Sequence, residues 1–386
     1  MAFALMADAV VIDDAIVTDV AVLVDGPTIA AVVHRDEVPA DVEHVDLAGA
    51  TLAPGFIDTQ VNGGGGVLFN DDPSVETIAA IGAAHRAFGT TGFLPTLISD
   101  DLAVVRRAVA AVDAAIEAGV PGVLGIHIEG PFLNLERKGI HSADHIRTLD
   151  DEGFAAITGL RHGRTLVTLA PEETDPDTIR RLVAAGVIVA AGHTNGSYAE
   201  IRAALDAGVS GFTHLFNAMS PLGSREPGAV GAALEDRAAY CGLIVDGHHV
   251  DPVSMRLALR LKGAARLMLV SDAMPSVGAA DKRFRLQGQW VTAAGGVCVN
   301  ADGTLAGADL DMAGAVRNAV AMLGVDLATA VSMASSSPAA FLGMAQVRGR
   351  IGAGWRADLV AVDVDGDIVG SWIDGAATVS QVGLTI

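Results

Sequence analysis

Polar and apolar positions alternate along this chain on two different periods. Near both ends the period is two: "AVVIDDAIV", "VAVLVDG" and "TIAAVV" early on, "RADLVAVDVDGDIVGSWIDG" late, with Asp and Gly at the turns. Between them eight short apolar runs recur: "LAPGFIDTQVN", "TGFLPTLIS", "VLGIHIEGPF", "TLVTLAPE", "VIVAAGHTN", "GFTHLFNA", "YCGLIVDGHHV" and "RLMLVSDAM". Most are separated by helical spacing, as in "SVETIAAIGAAHRAFG", "DLAVVRRAVAAVDAAIEAG" and "SYAEIRAALDAG", with glycine where a helix would end. The pattern predicts an α/β chain. Residues 53–344 would form a (β/α)8 TIM-like barrel, and residues 1–52 and 345–386 together a small β-sandwich domain. A doubly wound open sheet shares this alternation and stands as the alternative, because a strand count does not establish closure.

The polar residues at the ends of the runs favour the barrel. The runs end in Gln60 and Asn62, Thr96, His127 and Glu129, Glu172, His193, His214, His248 and His249, and Asp272. A barrel gathers all strand C-termini at one mouth, where such enzymes hold their sites. That rim is the expected active site.

Composition narrows the setting. At 51% hydrophobic and 18% charged residues the chain is globular. Two cysteines, Cys241 and Cys298, make no disulfide framework and fit a reducing cytoplasm. The amino terminus lacks a basic region and becomes acidic early, which predicts no signal peptide, and no apolar run is long enough to span a membrane. A formal net charge of −21 argues against nucleic acid or an anionic membrane as partner. An anionic substrate would have to be held by a few local cations against this field.

Glu129, His193 and His214 offer one carboxylate and two imidazoles, a donor set suited to a catalytic divalent ion. His193 and His214 are 21 residues apart, about one βα unit, so they meet only if the barrel is real. Asp272, ending the last run, can take a proton from water and return it to a leaving group. His127 shares a face with Glu129 and is read as supporting the ligands rather than binding the ion.

Six stretches in order carry a resemblance: "HIEGPF" (127–132), "GHTN" (192–195), "THLFNAM" (213–219), "DGHHVDP" (246–252), "VSDAM" (270–274) and "DGTLAGA" (302–308). Together they resemble the N-acetylglucosamine-6-phosphate deacetylases of the amidohydrolase superfamily. The stretches "SSSPAAFLG" and "GRIGAGWRADLVAVD" resemble the way many amidohydrolases return from barrel to β domain. The resemblance implies hydrolysis of N-acetyl-D-glucosamine 6-phosphate to D-glucosamine 6-phosphate and acetate. It implies one divalent ion (zinc, with iron, manganese or cobalt as other occupants) on Glu129, His193 and His214, with Asp272 as general base and acid. His141, in "KGIHSADHIR", would polarise the acetamide carbonyl, with Ile140 beside it on the substrate. Asn217, Ala218, Arg225 and His249 would meet the phosphate, and Leu305, Ala306 and Gly307 would line the sugar. A homodimer is implied in which His249 reaches the neighbouring site; a match shifted by one would put His248 in that role.

Gln60 and Asn62 depart from the His-x-His pair that begins many amidohydrolases. Neutral amide oxygens are poor ligands for a zinc-like ion, so a single metal is expected, with the amides and "GGGG" shaping the mouth instead. Two other functions stay open at this point: an amidohydrolase acting on another N-acyl or cyclic amide, and a non-catalytic sugar-phosphate-binding relative.

Overall fold

Each of the eight apolar runs becomes a strand of one parallel sheet. In a computed structural model, which describes residues 2–380, the strands are β1 (Phe56–Val61), β2 (Thr90–Ile98), β3 (Gly125–Glu129), β4 (Arg164–Leu169), β5 (Ile188–Ala191), β6 (Gly211–Phe212), β7 (Tyr240–Leu243) and β8 (Leu267–Leu269). They pair in sequence order from β1 to β8. The seam closes through a parallel bridge from Val61 to Ala273, just beyond β8. Asp58 reinforces it: Oδ1 accepts Ser271 N–H at 3.3 Å, and Oδ2 accepts the Ser271 hydroxyl. Closure decides between barrel and open sheet in favour of the barrel.

Every residue of β1, β2 and β3 is buried, which is expected of a sheet packed inside by its own side chains and outside by helices. The expected helices form at Val75–Arg86, Leu102–Glu117 and Tyr198–Ala207. Ser197 and Glu200 make a capping box at the start of the last, and Gly208 ends it at φ 114°. No helix among the described residues is long and apolar enough to cross a membrane.

Both termini feed one eight-stranded sheet with its own core, including Leu5, Val22, Leu52, Leu359 and Trp372. Strand Phe3–Ile12 runs parallel to Glu43–Pro54, which pairs antiparallel with Leu359–Val362. Residues 381–386, the end of the expected C-terminal contribution, lie outside the described residues. A four-stranded antiparallel sheet, Arg283–Leu286 to Leu305–Ala308, is inserted after β8. The barrel expected over 53–344 takes in this stretch without distinguishing it. Its period-two alternation and its turns at Gly288, Gly295, Gly296 and Gly303, all at positive φ, make it a separate meander.

The glycine run after β1 is pinned under the mouth. Asn62 and Gly63 N–H both donate to Ala273 O at 3.0 Å. A side chain on Gly63 would meet Val67 O at 2.5 Å, and one on Gly64 would meet the His85 ring at 2.7 Å. His85 Nε2–H donates to Gly63 O at 2.9 Å from the helix Val75–Arg86, and burial pushes its pKa down to about 4. The folded state therefore keeps His85 neutral where the unfolded chain already takes up a proton, so stability is lost as pH falls from 6.5 towards 4. Between pH 7 and 5 this amounts to about 2 kcal/mol. In urea unfolding, wild type should lose about that much more than His85→Gln over this interval; parallel losses would refute the linkage.

Candidate active site

The strand ends converge on a cavity of about 380 Å³ at the C-terminal mouth, within the roughly 300–1,000 Å³ typical of small-molecule sites. Glu129 ends β3; His193 and His214 follow β5 and β6 by two residues, and Asp272 follows β8 by three. These turns are sharp. His193, His214, Phe216, Ala218 and Asp272 adopt φ of 48°, 34°, 81°, 50° and 50°, in the left-handed region that side-chain-bearing residues avoid. Strain gathered in this way is typical of a site that the surrounding fold over-determines.

Glu129 Oε1 lies 3.2 Å from His193 Nε2 and 2.9 Å from His214 Nε2, with the two nitrogens 3.0 Å apart. All three residues are buried. Burial alone would raise the Glu129 pKa, but the hydrogen bonds from His193 and His214 outweigh it and hold the carboxyl well below its usual range. His193 Nδ1–H donates to Arg137 O at 2.8 Å, which fixes the ring with Nε2 towards the centre. A charged carboxylate oxygen and inward-facing imidazole nitrogens, crowded together, fit a divalent cation.

Asp272 faces this cluster across the mouth. Its Oδ1 accepts Gln60 Nε2–H at 3.1 Å and Asn62 Nδ2–H at 2.7 Å. Gln60 Nε2 also donates to Glu129 Oε2 at 3.1 Å, so one amide ties the candidate base to a candidate ligand. Burial, with the Glu129 charge second, raises the Asp272 pKa to about 6. The amides expected to shape the mouth thus present N–H groups, not oxygens, to the two carboxylates.

His141 completes the reacting end. Its Nδ1 accepts Ser99 N–H at 3.2 Å and lies 2.8 Å from Ser99 Oγ, so the ring proton sits on Nε2. Burial, and then the nearby His193, hold its pKa well below 6.5, which keeps it a neutral donor. Beneath the floor, His127 Nε2 lies 2.7 Å from Thr168 Oγ1, and burial lowers its pKa to about 4. It lies outside the Glu129–His193–His214 cluster and meets Thr168 and Thr96 instead. Glu172 lies outside the cavity lining and fastens the end of β5, accepting Asn195 N–H at 2.6 Å. Thr96 braces β1 by accepting Val61 N–H at 2.8 Å.

Of the expected substrate contacts, Ile140, Asn217, Ala218, His249, Leu305 and Gly307 line the cavity. Ala306, Arg225 and His249 are placed differently within the single chain. Ala306 is fully buried in the apolar core of the inserted sheet, because alternation along that strand turns its side chain away from the mouth. Arg225 is exposed on the loop 221–227 and lies outside the lining of its own chain's cavity. His249 Nδ1–H donates to Asp246 Oδ2 at 2.6 Å, and the ring lines its own chain's cavity. Asp246 Oδ1 also accepts the His248 and His249 N–H groups at 2.8 and 2.9 Å. That turn sends His248 towards a different cleft beside Gly296, so of the adjacent histidines His249 is the one in the site.

Sequence reasoning misses Ser99, Glu136, Arg137 and Thr304. Arg137 sits in "LERKGIHS", four residues before His141, and its charge in an acidic chain is the available signal.

Residues 51–380 match the amidohydrolase family, and residues 12–52 match the NagA composite domain. The chain is 46% identical to an N-acetylgalactosamine-6-phosphate deacetylase of Shewanella sp. (strain ANA-3), over 87% of this chain and 85% of that protein. It is 35% identical to the N-acetylglucosamine-6-phosphate deacetylase of Haemophilus influenzae, over 93% of this chain and 95% of that one. The crystal structure of N-acetylglucosamine-6-phosphate deacetylase from Pasteurella multocida superimposes with a TM-score of 0.95 at 35% identity, covering 98% of this chain and 99% of that one.

Proposed function

The chain belongs to the amidohydrolase family, and on that premise we propose that it hydrolyses N-acetyl-D-glucosamine 6-phosphate to D-glucosamine 6-phosphate and acetate. The observation that carries this is one cavity at the barrel mouth uniting the Glu129–His193–His214 cluster, Asp272 and the Nε2–H of His141. One divalent ion, zinc in our reading, would be held by Glu129, His193 and His214 and would supply Lewis-acid polarisation and a more acidic water. Asp272 accepts the proton of the attacking water as its oxygen adds to the acetyl carbon. His141 donates Nε2–H to the developing oxyanion. Asp272 then hands the proton to the sugar nitrogen, the C–N bond breaks, and acetate and the amine leave.

Gln60 and Asn62 support the single ion, since both donate hydrogen bonds where a second ion would need lone pairs. They also weigh against relatives built on a His pair, and the retained Asp272 weighs against a non-catalytic binder. Two unpaired, buried cysteines support a cytoplasmic location. A homodimer belongs to the proposal. Support for a residue shared between its sites rests on Arg225, exposed on its loop beside the exposed Leu222.

A second reading, N-acetyl-D-galactosamine 6-phosphate as substrate, is favoured by the 46% identical Shewanella relative. Acetate release from both 6-phosphates and from the two unphosphorylated sugars separates the possibilities. The expected order is the glucosamine derivative first and the unphosphorylated sugars far behind. A higher kcat/KM for the galacto epimer would move the assignment to the second reading. Equal turnover with and without phosphate would sink both.

A further inference from the structure

Asp58, on β1, is a fully buried acid that lies outside the cavity lining. Its hydrogen-bond donors among the described residues are all neutral. Gln60 N–H at 3.1 Å and Ser271 N–H at 3.3 Å reach Oδ1, and the Ser271 hydroxyl reaches Oδ2. Burial pushes the Asp58 pKa up to about 7, so the fold holds this carboxyl at a cost that no cation offsets. An apolar side chain of similar size would pack the seam without that cost.

Both segments that Asp58 joins lead directly to the reacting end. The pairing of β1 with β2 slips between Asp58 and Val61, and at that slip the carboxylate satisfies Gln60 N–H. Across the seam, Ser271 immediately precedes Asp272. Its hydroxyl donates to Asp58 and accepts Ala273 N–H at 3.1 Å. These bonds bracket Asp272, whose φ of 50° has to be held by its surroundings. Gln60 in turn donates Nε2–H to Asp272 Oδ1, beside the Asn62 amide. Asp272 Oδ2 has no hydrogen-bond partner among the described residues and is the oxygen left for the proton of the attacking water.

We infer that Asp58 is a positioning residue for the general base: through Ser271 it sets the turn that carries Asp272, and through Gln60 it sets the amide that aims the Asp272 carboxylate. The inference rests on the reading of Asp272 as the proton carrier. An acid suits this place because a carboxylate accepts on two oxygens at once, whereas an amide of the same size offers one accepting oxygen. Oδ1 takes the two backbone N–H groups and Oδ2 the hydroxyl, tying β1 to the segment after β8 across 213 residues of chain. Passing a proton from water to a leaving nitrogen demands alignment at both steps. A displacement of about 1 Å at a reacting group can cost about 10²-fold in rate.

The test is a double-mutant cycle on acetate release from N-acetylglucosamine 6-phosphate by the metal-loaded enzyme. Asp58→Asn is made in wild type and in Asp272→Asn, with KM, metal content and thermal midpoint measured on each protein. In wild type it should lower kcat by about 10–100-fold, with KM, metal and midpoint retained. In Asp272→Asn, which has no carboxylate to aim, the same change should cost less than about threefold. A merely structural role gives equal factors in both backgrounds, and that result overturns the inference. So does a wild-type kcat in Asp58→Asn, or a loss matched by loss of metal. Ser271→Ala keeps the carboxylate and removes one link, and should repeat the pattern on a smaller scale, about three- to tenfold in wild type. It decides the matter if Asp58→Asn does not fold, and equal factors or no effect there overturn the inference too. Full activity in Asp272→Asn removes the proton-carrier reading and the role of Asp58 with it; that failure shows while Asp58 is intact, which makes it a separate outcome.

Discussion

Asp272→Asn should lower kcat by about 10²–10⁴-fold, the usual share of general acid–base catalysis, with substrate KM and bound metal unchanged. The substitution keeps the size of the side chain and removes its ability to carry a proton. Asp272 Oδ1 is already committed to the Gln60 and Asn62 amides, so an asparagine there can turn its oxygen to both donors. The variant should therefore fold. Because the buried carboxylate costs desolvation, shown by a pKa raised to about 6, its thermal midpoint should not fall. Steady-state kinetics, a thermal melt and metal analysis on one preparation separate the cases. Full activity in Asp272→Asn would end the proton-shuttle assignment. A fall in activity matched by a fall in metal content would make Asp272 a ligand instead.

The second large effect is loss of the ion. Chelation should abolish acetate release, and one equivalent of divalent metal per chain should restore it. Glu129→Gln should fail to recover activity at stoichiometric metal, because the charged oxygen between His193 and His214 becomes a neutral amide. The chelated protein should nonetheless remain folded. Its donor atoms are hydrogen-bonded to one another and held by strands of a large core, unlike small domains that fold only around their metal. Circular dichroism of the chelated protein checks this. Two tightly bound ions per chain would contradict the reading of Gln60 and Asn62.

Much of this architecture is legible in the chain. The eight apolar runs, their intervening helices and the polar residue ending each run are local features, and the barrel places those ends at one mouth for any side chains. Glu129, His193, His214 and Asp272 can be named in advance because a strand end is a position that sequence marks, whereas His141, in a loop, is named only through the family resemblance. The inserted sheet is also written in the sequence, in alternation and glycine turns, but its alternation is easily absorbed into the barrel.

The tertiary structure alone decided which rim residues share a cavity. Loop direction depends on contacts between segments far apart in the chain, and a one-residue step along a strand reverses the side chain. So Ala306 turned inward between Leu305 and Gly307, and Asp246 drew His249 into its own site while His248 went elsewhere. Arg225, which the motif favoured, lay outside the cavity of its own chain. Arg137, which no motif marked, came inside because Asn195 and His193, 58 and 56 residues away, hold it there. From its sequence, then, the chain determined its elements and the chemistry at their ends, since both are set by near neighbours. Which side chains share the cavity was settled only when distant strands closed into a ring and brought their loops together.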